Sequence, residues 1–225
     1  MTKVRAQLVT CFLILATIFS CQCAPSAVVP TRTEPVEFWE PIMFRIIDRT
    51  TRLSNLQPLR ETALRPDDFE VRIWRGFGLE NLEGVVIRRI DGQWSGTHIV
   101  AYDHSEPNKT VLARLHVPKS GWIGLWAELS NLGLLTLPGN VDETCRGRLD
   151  GNAHAVEVSY DGSYRTYFYP SYLPRCTGSD RMDLISETIG IEFDDGTGEC
   201  REAEWFPCAS VLRDRRLGLP RIAHP

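Results

Sequence analysis

The chain is short of the residues that announce familiar chemistry. Five histidines are scattered over 225 residues with no H-E-x-x-H spacing, and no two cysteines stand as C-x-x-C. These absences remove the commonest zinc-protease and zinc-finger patterns. A basic excess is missing too, since 25 Lys and Arg stand against 29 Asp and Glu, a formal net charge of −4. Nucleic-acid binders neutralise phosphates with a clustered basic face, so no nucleic-acid partner is expected. No internal repeat is present, and no apolar run reaches the roughly 20 residues needed to cross a bilayer core. What is left, 43% apolar and 24% charged residues, argues against both wholesale disorder and a membrane-embedded bundle.

The N-terminus reads as an address. A basic start with Lys3 and Arg5 precedes a largely apolar run from Leu8 to Phe19 and a small-residue exit at Ser20, Cys21 and Cys23. That order is a secretory signal peptide. Lys3 and Arg5 are the only charges in the first twenty residues, so removing them leaves 23 basic against 29 acidic residues, or −6. Ile18-Phe19-Ser20-Cys21 resembles the bacterial lipobox, although Phe19 is bulkier than the residue usual there. The resemblance implies cleavage before Cys21, a diacylglyceryl thioether on its sulfur, and a membrane partner reached through that lipid. Ordinary signal cleavage would instead leave Ala24 first. The expected organisation is a signal peptide over 1–20, a lipid-anchored tether over 21–35 with three prolines after Ala24, and one globular domain over 36–225.

Beyond Cys11, Cys21 and Cys23 there are four cysteines, Cys145, Cys176, Cys200 and Cys208. An even number in an exported chain predicts two disulfides. The segments Asn152 to Tyr160 and Ser163 to Tyr169 flank Asp161-Gly162, a two-residue hairpin signal. Opposed residues in that hairpin sum to 323, and Cys145 with Cys176 sums to 321. These two therefore meet at the hairpin's open end, which leaves Cys200 for Cys208.

Apolar periodicity predicts an N-terminal helix starting at or after Pro41 and a four-strand meander from Asp67 to His116, with its central turn at Asp91-Gly92. It also predicts a helix opened by Ser120 and carrying Trp122, Leu125, Trp126, Leu129 and Leu132, then the hairpin, then a helix over Asp180 to Ile189. The C-terminal part reads as irregular, with a short helix near Ala209 to Arg215. Strand runs and helix runs do not alternate regularly, so the fold class is α+β with an antiparallel sheet.

Candidate chemistry is thin. His98, His116 and His154 fall in expected strands and could converge on a metal, but unrelated edge positions explain them as well, and no metal or other cofactor is expected. Gly92-Gln93-Trp94-Ser95-Gly96 brings a serine near His98, one place too late for a nucleophile elbow and inside a strand. Asp194-Asp195-Gly196-Thr197-Gly198-Glu199 offers oxygen ligands to calcium but departs from the EF-hand order, which favours a solvated turn. Arg72, Trp74 and Arg75, with Arg88 and Arg89, form one group of cations and aromatics. Tyr160, Tyr164, Arg165, Tyr167 and Tyr169 form another. Such residues dominate binding hot spots, so Arg72, Trp74, Arg75, Tyr164, Arg165 and Tyr167 are the candidate recognition surface, with cross-strand pairing as the plainer account.

Gly121-Trp122 through Leu125-Trp126 to Leu132-Gly133-Leu134-Leu135-Thr136-Leu137-Pro138, with Val156-Glu157-Val158, Tyr164-Arg165-Thr166-Tyr167 and Ile73-Trp74-Arg75-Gly76-Phe77-Gly78, resemble an uncharacterised group of exported bacterial proteins. The likeness spans about half the chain, and no activity comes with it. The resulting expectation is a lipid-anchored periplasmic or surface domain with a binding or structural role, its partner an envelope protein or glycan, and not an enzyme. The alternative is a hydrolase of an envelope polymer, which would gather His98 or His154 with Asp103, Glu157 or Asp161.

Overall fold

The computed structural model describes residues 26–33, 36, 40–77, 81–102, 109–139, 153–170 and 178–194. All seven cysteines lie outside them, and with them the lipidation of Cys21 and both disulfide pairings. The expected helix near Ala209 to Arg215 and the acidic turn beyond Asp194 lie outside as well.

In chain order the elements are β1 (Thr31–Arg32), α1 (Glu40–Leu53), β2 (Phe69–Arg75), β3 (Leu82–Ile90), β4 (Gln93–Tyr102), β5 (Lys109–Arg114), α2 (Gly121–Asn131), β6 (Ala153–Tyr160), β7 (Ser163–Pro170) and α3 (Ser179–Phe193). The strands form one seven-stranded sheet in the order β1-β7-β6-β2-β3-β4-β5. The fold is α+β, and every pairing is antiparallel except β1 with β7. The meander and the hairpin, which the sequence presents as separate runs, are joined by β2 against β6, so β2 is central.

Both Asp-Gly turns form as expected. Asp91 and Gly92 take φ of 51° and 74°, and Asp161 and Gly162 take 49° and 68°. Two consecutive positive φ values make the turn whose twist matches the flanking strands. They lock Ile90 opposite Gln93 and Tyr160 opposite Ser163, so Ala153 faces Pro170.

The sheet is covered on both faces. Phe69, Val71 and Ile73 of β2 share one core with Leu125 and Leu129 of α2 and Met182, Ile185, Ile189 and Phe193 of α3. Trp74, one position out of phase, belongs to a second core with Met43, Phe44 and Ile47 of α1. Side chains alternate along a strand, so β2 supplies both cores. Gly84 sits opposite Trp74 in the ladder, and a Cβ there would lie 2.4 Å from the indole.

Two expectations are corrected. The stretch read as a tether contributes β1, where the Thr31 amide donates to Gly162 O at 2.8 Å and the Thr33 amide to Tyr164 O at 3.1 Å. Ser120 does stand before α2, but its hydroxyl makes no capping bond. A carboxylate from α3 does that work, with Glu192 Oε2 accepting from the Ser120 amide at 2.8 Å. An acceptor at a helix N-terminus satisfies an orphan donor wherever in the chain it comes from. Among the described residues no helix is long and apolar enough to cross a membrane.

Candidate functional site

The six residues read as a recognition surface do not form one. The alternation of β2 and β7 sends Arg72, Trp74 and Tyr164 toward α1, and Arg75, Arg165 and Tyr167 toward α2 and α3. Arg72, Trp74, Tyr164 and Tyr167 are each no more than 1% exposed, so none can meet a partner. Composition pointed to hot-spot residues, and register turned them inward.

Toward α1 they build a buried polar network. Arg72 Nε donates to Glu70 Oε1 at 2.6 Å. Trp74 Nε1 donates to Glu157 Oε2 at 2.9 Å, and the Tyr164 hydroxyl to Glu157 Oε1 at 3.1 Å. The Thr166 hydroxyl donates to Glu40 of α1 at 3.2 Å, and Arg32 of β1 pairs with the same carboxylate. Burial raises the Glu157 pKa above its ordinary range, opposed by the Arg72 charge and by the Trp74 and Tyr164 hydrogen bonds. Burial, followed by the Glu157 charge, likewise raises Tyr164. Buried charge of this kind persists only when paired and hydrogen-bonded, and here it fastens β1 and α1 to the sheet.

Toward α2 and α3 the polar groups are fastenings as well. Arg165 Nη2 donates to Leu137 O at 2.6 Å and the Tyr167 hydroxyl to Leu134 O at 2.8 Å, which hold the turn after α2 on the sheet. His154 of β6 lies opposite Arg75 and bonds Ser186 of α3 at 3.0 Å. Burial, helped by the Arg75 charge, lowers the His154 pKa to about 3. A base that weak is poorly matched to drawing a proton from a serine near neutral pH.

The residues named for hydrolysis are dispersed. His154 and Glu157 project to opposite faces of β6, Asp161 occupies an exposed turn, and Asp103 lies outside the described residues. His98 sits 3.6 Å from Glu83, buried on the α2–α3 side. Ser95 projects the other way, where its hydroxyl accepts from Arg88 Nε at 3.2 Å. Serine and histidine of the Trp94 strand therefore never meet. His98, His116 and His154 do not converge either, and among the described residues no group of three His, Cys, Asp or Glu could hold a metal ion.

One end of the sheet opens to solvent. Across one end of the α2–α3 side runs a continuous belt of rings. His116 packs on Phe193, Phe193 on Trp122, Trp122 on Trp94, Trp94 on Phe69, and Phe69 on Trp126 and Tyr160. The Arg89 guanidinium caps it, 5.5 Å from the Phe69 ring and 5.9 Å from Trp94. Phe69 is buried, whereas Trp94 and Trp122 are only partly covered. The reason lies in the ladder. β5 stops at Arg114, paired with Thr97, and the last bond runs from the Leu115 amide to Gly96 O at 3.0 Å. The chain then leaves through His116, Val117 and Pro118, so β4 continues to Gln93 without β5 beside it.

The gap is an open cleft of about 400 Å³ lined by Trp94, Ser95, Arg114, Leu115, His116, Val117 and Trp122. Its volume falls at the lower end of the roughly 300–1,000 Å³ of small-molecule sites, and its lining is mixed, with four apolar and three polar residues. The Trp94 and Trp122 rings lie 6.1 Å apart and 10° from parallel. Gly96 lets them approach, because a Cβ there would fall 2.8 Å from the Trp122 ring. The sequence reading took Trp122 as helix core and Trp94 as a strand residue. The usable signal was two tryptophans bracketing a strand end that carries Arg114 and His116, but only the register brings them together.

Scans against protein-family models, curated proteins and solved structures found no match.

Proposed function

We propose that the chain is an exported cell-envelope lipoprotein whose folded domain binds an envelope ligand in the Trp94–Trp122 cleft. The cleft carries the reading, since two partly covered indoles, Trp94 and Trp122, and His116 line one opening among the described residues. Aromatic residues and Arg give large contact area with hydrogen-bonding capacity, which is what recognition sites use. The signal-like N-terminus and the lipobox resemblance at Cys21 give the location. The two disulfides belong to the same reading. Cys145 and Cys176 both lie beyond the hairpin end where Ala153 faces Pro170, and Cys200 is left for Cys208. A hydrolase has less support, because its described candidate groups point to different faces and the His154–Ser186 pair holds a histidine whose pKa burial lowers to about 3.

Two measurements test it. Intact mass of protein from a bacterial host should begin at Cys21 with acyl chains and rise by four hydrogens on reduction; an unmodified chain beginning near Ala24 would remove the anchor. A digest of envelope glycan and protein should shift indole signals in a way that Trp122→Ala abolishes. If no fraction of the digest shifts them, the binding role is lost.

A further inference from the structure

We infer that the end of the sheet holding the Trp94–Trp122 cleft lies against the lipid bilayer that anchors the chain, with Val117 and Ile123 entering the interface, so that the cleft meets its ligand at the membrane surface; this rests on the reading of Cys21 as the lipid-bearing residue.

Register puts the tether and the cleft at the same end. One row of partners crosses the sheet from β1 to β4, through Thr31, Ser163, Tyr160, Phe69, Arg89 and Trp94. β1 runs parallel to β7, which starts at Ser163, so the chain enters the sheet at that end. Upstream, Val28 is bridged to Leu64, and the loop after Leu64 is tied to the Asp91 turn, whose amide donates to Asp68 Oδ1 at 2.7 Å. Only residues 22–25 stand between Cys21 and Ser26, a reach of at most roughly 18 Å when fully extended. An acyl chain on Cys21 therefore brings the cleft end of the sheet to the bilayer, and so short a tether holds even a weak contact at high effective concentration.

The side chains there suit an interface. Val117, 64% exposed, lines the cleft, and Ile123, 77% exposed, follows Trp122 in the first turn of α2. Val28, Val29 and Tyr160 are exposed as well. Exposed valine and isoleucine gain by leaving water for the acyl boundary, and indole and phenol rings settle at the headgroup level. The neighbouring cations are engaged within the protein. Arg65 pairs with Asp91, Arg89 Nη2 donates to Asp67 O at 2.7 Å, and Lys119 stands 3.7 Å from Asp194. The contact thus rests on apolar surface and not on attraction to anionic lipid.

The test is tryptophan quenching of the full chain, purified from a bacterial host, in phosphatidylcholine vesicles whose acyl chains carry bromine. Bromine quenches indoles at close range, so a domain merely tethered nearby stays bright. Part of the emission should be lost relative to unbrominated vesicles, and high salt should leave that loss unchanged. Val117→Asp with Ile123→Asp, both at exposed positions where the fold tolerates change, should abolish the quenching. Leu184→Asp, at an exposed position in the first half of α3, should not, and Ile123→Trp should increase it. Unquenched indoles on a chain whose mass shows an acylated Cys21 overturn the inference and leave the anchor standing. Quenching that survives the double substitution, or that high salt removes, overturns it too. An unacylated chain with unquenched indoles loses both readings, whereas an unacylated chain that is still quenched, and answers to the substitutions, keeps the docking face and loses the anchor.

Discussion

The two faces of the sheet solve burial in opposite ways. Toward α1, strand positions carry Glu70, Arg72, Glu157, Tyr164 and Thr166, all buried, and the helix above adds Glu40. Toward α2 and α3, the same strands offer Phe69, Val71, Ile73, Val156 and Val158, and the helices answer with leucine, isoleucine and methionine. The α1 face is closed, its polar groups set into an apolar core of Met43, Phe44, Ile47, Trp74 and Phe168, with Arg72 Nη1 left without a hydrogen-bond partner among the described residues. The apolar face is closed at its centre but runs out, at the end where β5 stops, into an aromatic cleft open to solvent. Charge is thus spent on internal fastening, and the residues available to a partner are mostly the margin of an apolar core.

That contrast is sharpest in mutants that break one face. Arg72→Ala leaves Glu70 buried without its partner and strips Glu157 of the nearby cation, for an expected loss of about 3–5 kcal/mol by urea unfolding. Removing the whole set is a different experiment. Glu70→Met with Arg72→Met and Glu157→Gln should recover most of that loss, since paired burial is commonly no better than apolar packing of similar volume. A triple variant as unstable as Arg72→Ala would show that the network's shape, and not its unpaired charge, is what the fold needs.

The faces should also differ in the sign of their pH dependence. His154 has its pKa lowered from 6.5 to about 3, so the unfolded chain takes up a proton that the folded chain refuses. Its contribution is present above pH 6.5 and is lost as pH falls toward 3. The loss by pH 4.5 is about 2–3 kcal/mol relative to His154→Gln, read from paired unfolding curves. Glu157 is raised from 4.5, so its contribution is present below pH 4.5 and declines as pH rises through the folded pKa. Glu157→Gln should flatten stability on the neutral side, and His154→Gln on the acid side. Any other assignment of the two slopes would reverse the roles given to the two faces.

Paired glycines supply a smaller and more local comparison. Gly84 lies under Trp74, which is fully enclosed, whereas Gly96 lies under Trp122 at the cleft. An added methyl at Gly84 has nowhere to displace the indole, and Gly84→Ala should cost about 1–3 kcal/mol as an overpacked core. At Gly96 an added Cβ would meet the Trp122 ring at 2.8 Å and Leu115 at 3.1 Å, but Trp122 is only partly covered, so Gly96→Ala should cost about 1 kcal/mol, less than Gly84→Ala, and show itself in Trp122 fluorescence. Equal costs would mean that the cleft is as tightly packed as the core.

Much of this architecture was legible because it rests on local rules. The two Asp-Gly turns announced their hairpins, and strict alternation in Phe69, Val71 and Ile73 marked β2. The helices over Trp122 to Leu132 and Asp180 to Ile189 followed from apolar spacing. What was not legible is long-range. Nothing near Thr31 or Arg32 foretells a parallel pairing with a strand more than 130 residues away. Nothing near Ser120 foretells that Glu192 caps its helix. The recognition residues failed for the same reason, since Arg72 and Tyr164 read as surface until a helix is laid over them. The cleft was missed because Trp94 sits on β4, Leu115 to Val117 on the exit from β5 and Trp122 on α2, and only the end of the β4–β5 ladder makes them neighbours.

The smallest expected effect falls on an arginine that the fold does not bond. Arg114 is exposed and makes no bond to the described residues, so Arg114→Gln should leave the unfolding midpoint within about 0.5 kcal/mol of the parent, the usual range for such surface changes. Arg72 and Arg165, by contrast, are built into the fold through Glu70 and the Leu137 carbonyl. The same residue type thus serves two ends, and exposure with bonding decides which. A near-silent Arg114→Gln in unfolding, set beside the large loss expected of Arg72→Ala, would show that bonding and burial, not residue type, decide what an arginine contributes to the fold. A loss above 1.5 kcal/mol, about the scale of a charged hydrogen bond, would instead put Arg114 among the fastenings.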